Sequence, residues 1–344
     1  MRHALLLYNP ESGRRRQARL RAVESVRVVL SAAGIAAEPL ATTGPATAAA
    51  QLTGALARGF DTLIVCAGDG TINEVLPSIV NTPLALGVVP LGTANVLAND
   101  LGLARRPAAA AAMLLAAAPR PTPLVRIDYT DLTGHPRWRY FIAAAGIGAD
   151  ARLVYALAAG FKQRWGMAAY YAEATRQWAT HFFPLFAVEF TGPDGRPRRE
   201  PVSQVLAVRI GWFGGMLKCL APGAGLDRPG LQLVLFKTRR RLHYLRYMLG
   251  VWLRRHRTLP EVEIVPAASC RCVSLDLPEP RRGDPLVAQH GSAGTGAALM
   301  PESRRDGPIA PRIYAEADGE LLGTLPVSVS MTSDTVNLLV PNKP

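Results

Sequence analysis

Cysteine, acidic residues and long apolar runs are all scarce in this chain. Four cysteines among 344 residues are too few for a disulfide framework, so free thiols and a cytoplasmic setting are expected. The longest apolar run, Ala108 to Ala118 between two prolines, is little more than half the ~20 residues that a membrane-spanning helix needs. No transmembrane segment is expected, and the short apolar part of Met1–Pro10 does not read as a signal peptide. Acidic residues number 26 against 39 Lys and Arg, a formal charge of +13. Such a field attracts polyanions, whether nucleotide phosphates, nucleic acid or an anionic membrane surface. No recognition motif accompanies the charge, which argues against nucleic acid as the partner. The six histidines lack zinc spacing. Cys270-Arg271-Cys272 has no second pair, is expected to turn its thiols to opposite faces of a strand, and gives no metal site. A Walker loop is absent, as is Gly-x-Gly-x-x-Gly after the first strand, so P-loop NTPases and Rossmann dehydrogenases are poor fits.

What is present is globular: 49% hydrophobic and 19% charged residues, at a length that suggests about two domains. Residues 1–123 alternate strand and helix patterns. Strands are expected at Ala4–Tyr8, Thr62–Cys66 and Leu84–Val89, and helices at Arg14–Ala33, Thr71–Ile79, Asn95–Asp100 and Ala108–Ala118. That alternation predicts a parallel sheet covered by helices. From residue 124 to the end the apolar stretches are mostly extended (Leu124–Tyr129, Arg139–Ala144, Leu185–Phe190, Val202–Ile210 and Leu231–Phe236), interrupted by helical patterns at Ala151–Thr180 and Arg240–Arg254, which predicts a β-rich second domain. Residues 277–308, rich in Pro, Gly, Ser, Arg and Ala without periodicity, read as a disordered insertion. Strand patterns return within 312–344, as three separate short runs at Arg312–Ala315, Val327–Met331 and Val336–Val340.

Three glycine-bearing turns follow strands in the first domain. In Cys66-Ala67-Gly68-Asp69-Gly70-Thr71-Ile72-Asn73-Glu74 the glycines allow close approach of a phosphate, and a helix N-terminus would direct free N–H groups at it. Asp69 could hold a magnesium ion, and Thr71 stands where a cap belongs. An ordinary tight turn, with Asp69 bonding only to it, fits the same residues. Pro90-Leu91-Gly92-Thr93-Ala94-Asn95 repeats the arrangement, and Asn9-Pro10-Glu11-Ser12-Gly13 offers a third, followed by Arg14, Arg15 and Arg16. Three such turns at one carboxyl edge make a crevice of the kind α/β folds use for nucleotides.

Taken in order, Asn9-Pro10-x-Ser12-Gly13, Gly68-Asp69-Gly70-Thr71-x-Asn73-Glu74 and Pro90-x-Gly92-Thr93-x-Asn95 resemble the diacylglycerol kinase catalytic family, which includes bacterial lipid kinases, sphingosine kinases and ceramide kinases. The likeness continues through Ile127-Asp128, Tyr140-Phe141, Gly146-Ile147-Gly148-Ala149-Asp150, Lys162-x-Arg164-x-Gly166, Gly230-Leu231 and Ala317-Asp318-Gly319-Glu320. The resemblance implies an α/β plus β architecture: an N-terminal parallel-sheet ATP-binding domain and a C-terminal β-sandwich domain. It implies ATP and Mg2+ as cofactors, with phosphoryl transfer to a lipid hydroxyl in the cleft between the domains. By this resemblance Asn9, Ser12, Gly13, Thr42, Gly68, Asp69, Gly70, Thr71, Ile72, Asn73, Gly92 and Thr93 line the nucleotide site, and Asp69 is the metal residue. Glu320 and Asp318, with Asp69, are the catalytic acids. The alternative functions are a kinase of a soluble alcohol such as NAD and a non-catalytic nucleotide- or membrane-binding module. Two departures stand out. Ala67 replaces a glycine that could take positive φ, and Pro229 stands where an aspartate of an accessory magnesium site is expected.

Lys237 to Arg257 carries eight cations and no acid, interleaved with Tyr244, Tyr247, Trp252 and leucines. Such a helix can lie on an anionic bilayer at the inner membrane face, or pack into the core with a solvated basic face. The sequence is compatible with an oligomer.

Overall fold

The computed structural model describes residues 1–10, 16–42, 51–52, 54–152, 154, 183–213, 220–253, 259–275 and 312–341. The expected insertion at 277–308 and most of the expected helix at 151–180 lie outside these, as do Ser12 and Gly13.

The N-terminal half is built on four parallel strands: β1 (His3–Tyr8), β2 (Ala36–Ala41), β3 (Thr62–Ala67) and β4 (Ala85–Pro90). β1 lies between β2 and β3, and β4 flanks β3. β3 and β4 are buried along their whole length, so their near-continuous Leu, Ile and Val content is what a strand covered on both faces requires. Helices α1 (Arg16–Ala32), α2 (Asp69–Ile79), α3 (Val96–Asp100) and α4 (Pro107–Leu115) accompany them. Val23, Val26 and Leu30 of α1, with Ile72, Val75, Leu76 and Ile79 of α2, close one apolar core with the sheet. β2 escapes a reading of apolar runs because it is an edge strand, partly exposed, with Glu38 and Pro39 inside it.

The C-terminal half is antiparallel, and two long strands connect the halves. β5 (Ala118–Asp131) pairs with β15 (Glu320–Val340) from Ala118↔Val340 to Asp131↔Gly323, with two irregularities in register. β15 also pairs in parallel with β4, at Asn337↔Ala85 and Leu338↔Leu86, so one strand belongs to both halves. The expected helix at Ala108–Ala118 is shorter, ending at Leu115, because Ala118 already belongs to β5. Three prolines sit in that stretch without breaking it. Pro119, Pro121 and Pro123 alternate, so their missing N–H groups fall on one side of the strand, and among the described residues no ladder lies opposite β15 along this stretch to need them.

The remaining strands are β6 (Pro136–Phe141), β7 (Ala144–Gly148), β8 (Phe186–Thr191), β9 (Pro197–Val202), β10 (Gln204–Val208), β11 (Leu231–Phe236), β12 (Val262–Ala267), β13 (Ser269–Val273) and β14 (Tyr314–Ala317). One layer runs β12-β11-β10-β7-β14-β15; β9, β8, β13 and β6 attach through β13 and β5 to form the other. Alternate residues of both layers (Ile127, Ile147, Phe186, Val188, Val205, Ala207, Leu233, Val329) meet in a second apolar core, the inside of a sandwich. The expected α/β plus β architecture is therefore present. Cys270 and Cys272 both face this core, unlike the expected opposite faces: residues two apart on a strand share a side. A third core forms on the outer face of β10 and β11, where α5 (Arg241–Trp252) lays Tyr247 and Val251 against Leu206, Val208, Val234 and Phe236.

Candidate active site

Because β1 to β4 are parallel, their carboxyl ends fall on one edge. Asn9 follows β1, Thr42 follows β2, Gly68 follows β3, and the segment 91–95 follows β4. The loops are tied together at that edge. The Asn9 carbonyl accepts a bond from Arg19 Nη1 at 2.6 Å, and the Thr42 N–H donates to the Tyr8 carbonyl. After β4, the Asn95 side chain closes a loop on Gly92: Gly92 N–H donates to Asn95 Oδ1 at 2.8 Å, and Asn95 Nδ2 donates to the Gly92 carbonyl at 2.7 Å. Asn95 has φ of 49°, a left-handed conformation that asparagine tolerates.

The two glycine turns touch backbone to backbone. A Cβ on Gly92 would stand 2.5 Å from the Gly68 Cα, closer than any side-chain carbon can approach. Close packing, rather than positive φ, is what requires glycine here, since Gly68 has φ of −97°; Ala67 ends β3 and is not among the positive-φ residues, so that departure imposes no strain of the expected kind. Helix α2 starts at Asp69, two residues earlier than expected. Gly68 occupies the cap position, and Thr71 lies buried in the first turn instead of capping it. Ile72 points into the apolar core.

The three acids have different surroundings. Asp69 accepts N–H bonds from Val96 at 3.1 Å and Leu97 at 3.3 Å, so it caps α3 and locks the second turn to the first. Burial raises its pKa and those backbone donors oppose the rise. Asp318, at a turn with φ of 48°, accepts N–H bonds from Ile142, Ala143 and Ala144 at 2.9–3.0 Å. Burial pushes its pKa up to about 6 against those three donors. Glu320 turns the other way: its Oε1 would lie 2.8 Å from a Cβ on Gly70, placing the carboxylate at the N-terminus of α2, and its Oε2 receives Arg139 Nη1 at 2.8 Å. The acid pair expected from Asp-Gly-Glu is thus divided. Asp318 binds backbone, and Glu320 faces the glycine turns.

Arg139 and Glu74 complete this corner. Burial and the Glu320 charge raise the Glu74 pKa, and Arg139 lowers it. Nothing in the spacing of the sequence marks Arg139, because β5 and β6 bring it to Glu320 across 181 positions. Thr93 stands exposed at the loop tip.

The edge also holds buried polar atoms with no hydrogen-bond partner among the described residues: Thr42 Oγ1, both amide atoms of Asn73 and Glu74 Oε2. Such atoms cost stability unless something binds them. With the glycine contacts they fit a polar, phosphate-bearing ligand. Among the described residues no three His, Cys, Asp or Glu side chains converge on a metal position. Asp69 is a single carboxylate, which fits a divalent cation only where phosphate oxygens supply further ligands.

A strand-edge site with glycine turns at one wall and a carboxylate from the second half at the other is an arrangement suited to phosphoryl transfer, in which positioning and charge matter most. Comparison with known proteins agrees. The diacylglycerol kinase catalytic domain matches residues 3–127. A diacylglycerol kinase of Bacillus subtilis (strain 168) is 31% identical over 252 residues, covering 72% of this chain and 77% of that protein. With that coverage the chain belongs to the diacylglycerol kinase family, and so to the lipid kinases, which are phosphotransferases. A "probable lipid kinase YegS-like" protein of Xanthomonas campestris pv. campestris (strain 8004) is 31% identical over 180 residues, 50% of this chain and 55% of that one. The crystal structure of a diacylglycerol kinase from Bacillus anthracis str. Sterne superposes with a TM-score of 0.61 over 99% of this chain and 97% of that one, at 16% identity, a likeness of fold.

Proposed function

We propose that this protein transfers the γ-phosphate of ATP to the hydroxyl of a diacylglycerol-like lipid at an anionic membrane surface. The observation that carries the reading is the Glu320 carboxylate held at Gly70, facing the glycine turns at the carboxyl edge. On this reading residues 1–123 bind nucleotide and residues 124–344 bind the lipid, with the strand at 312–344 returning to the cleft.

Asn9, Ser12, Gly13, Thr42, Gly68–Asn73, Gly92 and Thr93 form the nucleotide site. Support comes from the unpartnered Thr42 hydroxyl and Asn73 amide, and from turns whose backbone N–H groups can meet phosphate oxygens. Asp69 fixes the second turn through α3 and is the residue suited to a magnesium ion. Mg2+, when bound with the phosphates, supplies neutralisation of their charge. Glu320 accepts the proton of the lipid hydroxyl as its oxygen bonds to the γ-phosphorus and the bond to the ADP oxygen breaks. Arg139 holds the Glu320 carboxylate in place. Asp318 fixes the turn from which Glu320 projects by binding three backbone N–H groups.

The lipid is identified by incubating the protein with labelled ATP and vesicles or micelles of diacylglycerol, monoacylglycerol, ceramide, sphingosine and phosphatidylglycerol. Label in phosphatidic acid is the expected outcome. Label in none of them, with NAD phosphorylated instead, would overturn the lipid assignment.

A further inference from the structure

Helix α5 is apolar on two opposite sides, and among the described residues only one of them is covered. At about 100° per residue, Tyr244, Tyr247 and Val251 fall on one side. They are held there: Tyr247 Oη donates to the Leu220 carbonyl at 2.9 Å, and the Tyr244 ring stacks between Phe183 and Phe236 with its hydroxyl 2.6 Å from Ser203 Oγ. The opposite side carries Leu242, Leu245, Leu249 and Leu253 in one row, with Met248 beside it. All five are between 45 and 69% exposed. Four leucines in a row on a helix that already has a buried face are not needed to hold that helix in place.

Charge points to what covers them. On the helical wheel Arg241 and Arg246 fall on either side of the leucine row, both exposed, with Arg239 and Arg240 exposed just before it. No Asp or Glu occurs from 237 to 257, and the whole chain carries +13. A solvent-facing leucine row bordered by arginine, with Glu261 beside Arg246 at 3.9 Å and no acid on the helix itself, matches the interfacial region of an anionic bilayer, where leucines enter the acyl boundary and guanidinium groups meet phosphate head groups. It does not match a second copy of the same basic face, which would bring arginines together.

We propose that the exposed face of α5 is an insertion surface, with Leu242, Leu245, Leu249 and Leu253 entering the outer part of an anionic membrane. This rests on the reading of the protein as a kinase of membrane lipids, and adds to charge attraction an apolar component that salt does not screen. The helix is also joined to the active-site region through hydrogen bonds. Tyr247 holds Leu220 at the start of the loop 220–226, Arg209 binds the Gly225 and Leu226 carbonyls, and the Arg209 N–H binds the Ala143 carbonyl next to the Asp318 contacts. Insertion would therefore seat the lipid-binding half on the bilayer as one body.

The test is co-sedimentation with vesicles of phosphatidylglycerol and phosphatidylcholine at low and high salt. The wild-type protein should keep a measurable part of its binding at high salt. The variant Leu245→Glu/Leu249→Glu should lose it, with at least a tenfold weaker binding overall. Both positions are exposed, so the variant should unfold at the wild-type temperature. It should also phosphorylate a short-chain, water-soluble diacylglycerol at the wild-type rate. A separate variant, Leu249→Trp, guards against a folding defect. It should gain fluorescence that brominated acyl chains quench, beyond that of the native tryptophans. Vesicle binding unchanged in the glutamate variant, or no added quenching in Leu249→Trp, would overturn the proposal. So would a wild-type dimer that the glutamate variant dissolves while its vesicle binding persists. Failure of the kinase reading is separately visible: binding would follow the leucines while no lipid accepted phosphate.

Discussion

Residue surroundings distinguish Glu320 from Asp318, which the sequence presents as near neighbours on one turn. Asp318 is buried on three backbone donors, and its pKa is pushed up to about 6. A carboxyl raised on folding makes stability fall as pH rises from its ordinary value near 4 to its folded value, because the native state holds a proton the unfolded chain has released. Asp318→Asn cannot titrate. It should lower stability at all pH values by leaving an N–H unpaired, about 1–3 kcal/mol, yet fall less steeply than wild type between pH 4 and 6. Urea unfolding at intervals across that range measures the two slopes, and parallel slopes would contradict the assignment. Asp69 is a different case. As a turn residue it would be replaced without effect on folding, but its carboxylate caps α3. Asp69→Asn should therefore reduce phosphoryl transfer by 10²-fold or more and also lower the unfolding temperature by a few degrees. The types of these residues were legible in the sequence. Their division of labour was not, since it depends on which backbone N–H groups the fold brings within reach.

Elements were legible where local pattern and tertiary partner agree. β3, β4 and β11 are buried runs with turns at both ends, and their extents lie within a residue or two of expectation. The sequence of β15 predicts separate short strands, because Thr332, Ser333, Asp334 and Thr335 interrupt the apolar pattern. The strand continues because β5 lies beside it, with Thr332 Oγ1 bonded to the Leu124 carbonyl and Asp334 to Tyr140. The glycine turns were recognised from spacing, but the contact between them was not, because Gly68 and Gly92 meet only once β3 and β4 pair. Gly92→Ala tests that contact. Its Cβ would collide with the Gly68 backbone, which cannot swing aside as a side chain can. Destabilisation of about 1–3 kcal/mol and a rise in the KM for ATP are expected. Alanine at Gly54, which has open space around its Cβ position, should affect neither. Thermal unfolding with ATP titration compares the two, and equal behaviour would remove the close approach from the account.

For the whole molecule, the two halves are joined by strands that run through both, so the carboxylate of one is delivered to the glycine turns of the other by continuous sheet. β15 enters beside the active site at Glu320 and leaves next to β4 at Leu338. α3 strengthens the junction: the Asp100 carboxylate accepts from Gly211 and Trp212 N–H groups at 2.8–2.9 Å. Among the described residues no helix is long and apolar enough to cross a membrane. The most direct measurement is single-turnover transfer of label from γ-labelled ATP to diacylglycerol in mixed micelles, comparing wild type with Glu320→Gln. The account predicts labelled phosphatidic acid from the wild type and a loss of at least 10³-fold in the variant, with ATP binding and unfolding temperature unchanged. Transfer by Glu320→Gln within tenfold of wild type would contradict the central role given to this carboxylate.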